Sequence, residues 1–412
     1  MKPASENVLP AREEILVRGV NWLGDAILSV PALQRLREGK PRARITLMAP
    51  EKLGGLWEGQ PFLDDLLLFS PGTTLWQTVR RLRARKFSAA VAFPNSLRSA
   101  LELWLAGIPQ RAGYARPWRT FFLTHPVPPR SGAVPMRKRS AGEIRQLIAG
   151  AESPPTVAPE PLSSRRLDAT LVIHDSAGPG GAAQSLSSRR LDAAHHIRDY
   201  LGLVGAMGAS SEPLPPRIAI SQEEAEKTAA RLGLPSARED RPALGICPGA
   251  EYGPAKRWPV ESFVAAGTAI QRAVRCHWII FGGPSDLELA RFIANALGQN
   301  VPGQPVLNLA GRTTLRELAG ALKRCRLLLA NDTGPMHLAA AVGTPVVVPF
   351  GSTSPEMTGP VWFDGAQILR APGIPCSPCF RRECPIDFRC MRNIAPDEVV
   401  AAALRALAVS AS

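Results

Sequence analysis

Short aliphatic and β-branched runs alternate with amphipathic segments twice along this chain, a pattern that restricts it to layers of parallel βαβ units. In the first half the runs EILVRG, RITLMA and SAAVAF, starting at Glu14, Arg44 and Ser88, alternate with the helical patterns AILSVPALQRLREG and SLRSALELWLAG. The alternation restarts with ALGICPG at Ala243 and continues through HWIIFGG, LLLAND and PVVVPFG, with VESFVAAGTAIQRA and LELARFIANALG between. Two separate α/β layers are expected, with ligands at the carboxyl ends of strands and in the crevice between domains. A length of 412 residues allows two domains, each with its own core.

The boundaries expected are residues 1–205 for the first domain, 216–395 for the second and 396–412 for a closing helix. Residues 128–193 turn to Pro, Gly, Ser and Arg and read as a flexible insertion. Inside it the octapeptide LSSRRLDA begins at Leu162 and again at Leu186, a local duplication rather than a solenoid repeat. Order is expected to resume at AAHHIRDYLGLVG, with Ile197, Leu201 and Val204 on one helical face. His195 and His196 are adjacent and cannot share such a face, so they read as a surface pair.

Neither a basic flank with an apolar core nor a run long enough to cross a bilayer occurs, which predicts a soluble, cytoplasmic protein. The formal charge of +14 is partly gathered in local runs, at Arg80, Arg81, Arg83, Arg85 and Lys86 and at Arg137, Lys138 and Arg139. Such a field attracts anions: nucleic acid, an anionic membrane face or a phosphorylated substrate. A nucleic-acid module is disfavoured, because 3 Tyr and 13 Phe are too few to interleave with the basic residues and no reader motif is present.

Three stretches carry chemistry. In RGVNWLGDAILSVPAL, Asp25 stands at or beside a helix start, where the dipole favours an ionised carboxylate; capping and general-base roles are both open. Pro31 predicts a separate first turn or a kink. In LLLANDTGPMHLAAAVGTPVVVPFG, a buried strand runs into Asn331–Asp332–Thr333–Gly334, with Pro335 suited to the first helical turn and Gly343 to its stop. The N–H groups from Thr333 and Gly334 onward can meet a phosphate, whereas Asp332 would repel one and suits sugar hydroxyls. In CPGAEYGPAKRWP, Gly249 and Gly253 let backbone approach a ligand, Lys256 offers a mobile charge for a diphosphate, and Trp258 anchors the loop. Neither GxGxxG between strand and helix nor GxxxxGK[ST] occurs, which removes the main support for a dinucleotide oxidoreductase or a P-loop enzyme.

These motifs, with FPNS at Phe93–Ser96, AGIPQRAGY at Ala106–Tyr114, FGGPSD at Phe281–Asp286 and LAGRTTL at Leu309–Leu315, run in order over most of the chain. Together the sequence resembles the bacterial ADP-heptose:lipopolysaccharide heptosyltransferases of glycosyltransferase family 9, most closely their type II branch. The resemblance implies a GT-B fold, two Rossmann-like domains facing across a cleft, with acceptor on the N-terminal side and nucleotide sugar on the C-terminal side. It implies inverting transfer of heptose from ADP-heptose to a heptose of the lipopolysaccharide inner core, with no metal or other cofactor required. A related transferase with another acceptor, such as the type I branch, or another donor is the alternative.

Carried over residue by residue, the resemblance makes Asp25 the base and sets Lys256 against the donor diphosphate. It places Asp286 near the ribose, Asp332 on the donor heptose, and Thr333, Gly334 and His337 around phosphate. Gly249, Ala250 and Glu251 join the donor loop, and Asn95, Ser96 and Arg98 are candidates for the acceptor side. The basic surface then suits the anionic membrane face that carries the acceptor, with the protein peripheral to it. Outside the simplest family pattern lie Cys376, Cys379, Cys384 and Cys390, spaced C-x2-C-x4-C-x5-C, which could wrap one structural zinc or remain reduced thiols.

Overall fold

A computed structural model describes residues 12–134, 136–152, 193–235, 241–303 and 306–409. The first sheet contains β1 (Glu14–Arg18), β2 (Arg44–Pro50), β3 (Asp65–Phe69), β4 (Ala89–Ala92), β5 (Gln110–Tyr114) and β6 (His125–Val127). The second contains β7 (Ala243–Cys247), β8 (His277–Ile280), β9 (Val306–Asn308), β10 (Leu327–Ala330), β11 (Val346–Phe350) and β12 (Ala366–Arg370). Their orders are β3-β2-β1-β4-β5-β6 and β12-β11-β10-β7-β8-β9, and every pairing is parallel. Each is a Rossmann arrangement, and each reverses direction once, between β1 and β4 and between β7 and β10.

That reversal decides where the motifs fall. NWLGD follows β1 and FPNS follows β4, so both leave the carboxyl ends of the strands flanking the first switch point. PGAEYGPAKRWP follows β7 and NDTGP follows β10, which flank the second. The central strands are covered on both faces and read as unbroken apolar runs: Ile15, Leu16 and Val17 in β1 and all four residues of β10 are fully buried.

Two expectations change. Leu23–Gly39 is one helix with Pro31 inside it, which rules out the separate first turn and leaves the kink as the remaining alternative. The helix is held by its neighbours, lying against the helices Ile197–Gly205 and Gly334–Ala341, and burial from Ala26 to Leu33 outweighs the lost backbone bond. Part of the expected flexible insertion is also ordered: Ala141–Glu152 is a helix whose Ile144 and Ile148 pack with Cys376 and Cys379. Both copies of LSSRRLDA except Ala193 lie outside the described residues.

The two halves meet through helix starts. A Cβ on Gly334 would stand 2.7 Å from Leu23 Cβ, and one on Gly24 would stand 3.2 Å from His337 Cδ2. At 334 a side chain would force a shift and at 24 it would crowd the ring, so the two glycines let the first turn of Leu23–Gly39 lie against the first turn of Gly334–Ala341.

Candidate functional site

A cavity of about 1010 Å³ opens where these helix starts meet, lined from both halves of the chain. Asp25 enters it from the first sheet; Gly249, Ala250, Glu251, Lys256, Asp286, Asp332, Thr333, Gly334 and His337 enter from the second. Every residue expected on the donor side therefore reaches one space. Asn95, Ser96 and Arg98 are not among its lining residues. Ser96 caps the helix Leu97–Leu105 by accepting from Ser99 N–H, Asn95 Oδ1 accepts from Arg119, and Arg98 is paired with Glu102 at 2.9 Å.

Asp25 is the third residue of its helix, whose N-cap, Trp22, makes no side-chain capping bond. Its carboxyl points into the cavity instead of closing the helix end. Burial raises its pKa, while His196, Lys256 and a hydrogen bond from Tyr200 pull the other way. The result is a carboxylate more basic than an exposed one, as a proton acceptor requires.

Lys256 forms an ion pair with Asp332 at 2.6 Å, and the Thr353 hydroxyl donates to the same Asp332 oxygen. Asp332 is buried, but Lys256 holds its pKa below the usual carboxylate value. The loop carrying Lys256 is fixed by the other motif: Asn331 Oδ1 accepts from Trp258 N–H at 2.9 Å, and Asn331 Nδ2 donates to Pro248 O at 2.7 Å. Trp258 itself is buried and donates through Nε1 to Ile394 O. The two motifs after β7 and β10 are thus a single unit.

The loop glycines make room for protein. A Cβ on Gly249 would fall 2.3 Å from Asp286 Oδ2, and one on Gly253, at φ 150°, would fall 2.6 Å from Arg382 O. Asp286 is consequently pressed over the loop, accepting from Gly283 N–H at 3.0 Å, and it also faces the cavity. Glu251 reaches the rim, where it pairs with Lys52 of the other half at 3.1 Å.

His337 is buried and its ring stacks on Trp362 with centroids 6.0 Å apart. Burial pushes its pKa down to about 3, so it meets any ligand as a neutral ring. The other histidines also correct the expectation of a surface pair. His195 is wholly buried, with Nε2 3.0 Å from Gly359 O, and His196 lines the cavity near Asp25.

Sequence reasoning missed Tyr200, His196, Thr353, Tyr252 and Arg382. A usable signal existed for the tyrosines, since the chain has only three. Tyr200 bonds Asp25, Tyr114 donates to Asp199 O at 2.7 Å beside it, and Tyr252 donates to Phe380 O while Lys256 lies 5.1 Å from its ring centroid.

The cysteine segment buttresses this wall. Cys379 and Phe380 N–H both donate to Ser352 O, the residue before Thr353, and Arg382 O accepts from Ala255 N–H of the lysine loop. Cys390 Sγ lies 3.0 Å from where a Gly351 Cβ would stand. All four thiols are free, and among the described residues no group of three or more His, Cys, Asp or Glu is arranged to hold a metal ion.

The arrangement offers a half-buried carboxylate on one side, and on the other a cation beside a helix start that lines the same space. It suits displacement at a carbon bearing a phosphate leaving group. Known proteins agree. Lipopolysaccharide heptosyltransferase 2 of Escherichia coli (strain K12) is 28% identical over 359 residues, 84% of this chain and 85% of that protein. Lipooligosaccharide heptosyltransferase 2 of Haemophilus influenzae is 27% identical over 371 residues, covering 86% and 88%. In fold, the solved E. coli ADP-heptose lps heptosyltransferase II superposes with TM-score 0.71 at 24% identity, covering 97% of this chain and all of that one. The glycosyl transferase family 9 structure from Veillonella parvula gives 0.68 at 22%, covering 96% and 97%. Residues 174–388 match the model of glycosyltransferase family 9 (heptosyltransferase), and the chain, an enzyme of GT-B fold, belongs to that family.

Proposed function

We propose that this enzyme moves heptose from ADP-heptose onto a heptose of the lipopolysaccharide inner core, with inversion at the transferred carbon. The observation that carries the reading is that Asp25 and the Lys256–Asp332 pair line one cavity from opposite halves of the chain. Asp25 takes the proton from the acceptor hydroxyl as its oxygen attacks the anomeric carbon. The bond from that carbon to the diphosphate oxygen breaks, and ADP departs with the electron pair. Lys256 and the N–H groups at Thr333–Gly334 meet the charge that develops on it; one such donor contributes roughly 2.7–4 kcal/mol to the transition state. Asp332 orients donor heptose hydroxyls, and Asp286 lies where a ribose would be held.

The positive charge comes from the chain itself, so the reading includes no metal in the transfer step. Full activity in excess chelator is expected, and a rate abolished by chelator and restored by a divalent ion would contradict it. A structural zinc on Cys376, Cys379, Cys384 and Cys390 rests on their spacing; metal content of untagged protein purified without reductant decides it.

An acceptor anchored in lipid places the enzyme at the anionic inner face of the cytoplasmic membrane. The +14 formal charge supports peripheral contact there, and among the described residues no helix is long and apolar enough to cross a membrane. The direct test is incubation with ADP-heptose and core acceptors bearing zero or one heptose, followed by mass spectrometry. Type II specificity predicts product from the one-heptose acceptor, and product from the heptose-free acceptor alone would move the reading to type I.

A further inference from the structure

The helix Leu97–Leu105 is apolar on the side that a surface helix normally keeps polar. Its inner face buries Ser99, Ala100 and Leu103, yet Leu97 and Trp104, on the outer stripe with Leu101, are 47% and 41% exposed. Trp104 meets Phe122 edge-on at 5.4 Å and Phe121 at 6.4 Å, extending the stripe onto the turn after β5. There Phe121 is 79% exposed and Trp118 87%.

Trp118 is held outward by the backbone. Its φ is 63°, a left-handed conformation that bulky side chains rarely adopt. The next residue, Arg119, is buried, donating to Tyr114 O at 2.9 Å and to Asn95 Oδ1 at 3.2 Å. The guanidinium pins the turn inside while the indole is turned to solvent.

Exposed basic groups lie next to Trp118 in the chain and on the helix packed beside Leu97–Leu105. Arg116 is exposed beside Trp118, and the neighbouring helix Leu75–Arg83 exposes Trp76, Arg80, Arg81 and Arg83. Arg81 and Arg83 donate to Leu68 O and Leu105 O, so carbonyl dipoles and not carboxylates meet their charge. Exposed aromatic rings near arginines that, among the described residues, have no carboxylate partner match a headgroup layer, where rings settle at the interface and cations meet anionic lipid. The turn is also tied through Asn95 to the end of β4, next to β1, which leads to Asp25.

We propose that the helix Leu97–Leu105 and the turn bearing Trp118 and Phe121 are the surface by which this enzyme docks on an anionic lipid bilayer. The choice of a bilayer as occupant rests on the transfer reading above, since a lipid-anchored acceptor must be met at its membrane. Docking on this face holds the N-terminal half, with Asp25, on the lipid side.

The test is flotation of the full chain with vesicles of phosphatidylethanolamine and phosphatidylglycerol, and with phosphatidylcholine alone. The expected result is binding to the anionic vesicles that salt weakens. Both Trp118→Gly/Phe121→Ser and Arg80→Glu/Arg116→Glu should lower it about tenfold or more. Glycine suits the left-handed φ and all four side chains are exposed, so unchanged melting curves are expected alongside. Transfer to a deacylated, water-soluble acceptor should stay at the wild-type rate. Equal binding of wild type to both vesicle types, or variants that float like wild type, would overturn the proposal. Variants that lose self-association or single-stranded nucleic-acid binding while keeping vesicle binding would overturn it too. Vesicle binding without any heptose transfer would defeat the functional reading and leave the docking face in place.

Discussion

Lys256 Nζ stands 2.6 Å from Asp332 Oδ2, joining loops that leave the adjacent strands β7 and β10. Both partners are largely removed from water, with side-chain exposures of 14% and 4%. On the proposed reading, a donor diphosphate entering the cavity would compete with Asp332 for this lysine.

Breaking one side of a buried ion pair leaves the other charge stranded, at about 3 kcal/mol or more. Lys256→Ala should lower unfolding stability by about that amount in urea titrations. Lys256→Ala/Asp332→Asn should recover most of it, because the stranded carboxylate is gone. Strictly additive losses would show that the pair does not couple. Lys256→Ala should also weaken ADP binding, and so should the double variant; unchanged ADP affinity would remove Lys256 from the donor site.

As the proposed base, Asp25 would have to be ionised to accept a proton, so activity should fall as pH drops through its raised pKa. Tyr200 donates to the ionised form, and Tyr200→Phe removes that support. The acid limb of the rate profile should move to higher pH in this variant, whereas a purely structural loss would lower the rate with the limb in place. The same shift has a stability sign. A carboxyl whose folded pKa is raised stabilises the fold below its unfolded pKa and loses that contribution as pH rises through the folded value. Asp25→Asn should therefore melt higher than wild type at pH 7 while losing turnover by orders of magnitude, and the gain should shrink in acid.

His337 runs in the opposite direction. With a folded pKa of about 3 against 6.5 unfolded, its contribution to stability is present above pH 6.5 and lost progressively as pH falls toward 3. Its ring should show no titration between pH 5 and 8 by NMR, and a shift with a midpoint near 6 would contradict the buried, neutral placement.

Gly334→Ala tests the contact between halves. The new methyl would stand 2.7–2.8 Å from three atoms of Leu23, so one helix start must move. A loss of about 1–3 kcal/mol is expected, with turnover reduced because Asp25 lies two residues beyond Leu23. Gly343→Ala, at φ 89° with nothing within 4 Å of its Cβ, should cost only about 1 kcal/mol and leave turnover unchanged.

The central strands were legible because β1, β2, β4, β7, β8, β10 and β11 are apolar runs buried on both faces. β3, β5, β6, β9 and β12 were not singled out. The edge strand β6 is HPV, with two exposed residues and no apolar period, and β5 is QRAGY, which reads as a loop. The C-terminal wall of the cavity was legible because its residues sit in contiguous motifs at strand ends. Tyr200 and His196 were not, since they reach Asp25 from a helix far along the chain, and only tertiary packing makes that meeting. Gly249 and Gly253 were seen as special, but the atoms filling their space belong to Asp286 and Arg382, which no local pattern reveals.

The most direct measurement is single-turnover transfer with ADP-heptose and a one-heptose core acceptor, read by mass spectrometry for wild type and Asp25→Asn. The account predicts addition of one heptose by wild type and a rate lower by orders of magnitude for the variant, with ADP affinity retained. No heptosylated product from wild type, or near-wild-type turnover by Asp25→Asn, would contradict it.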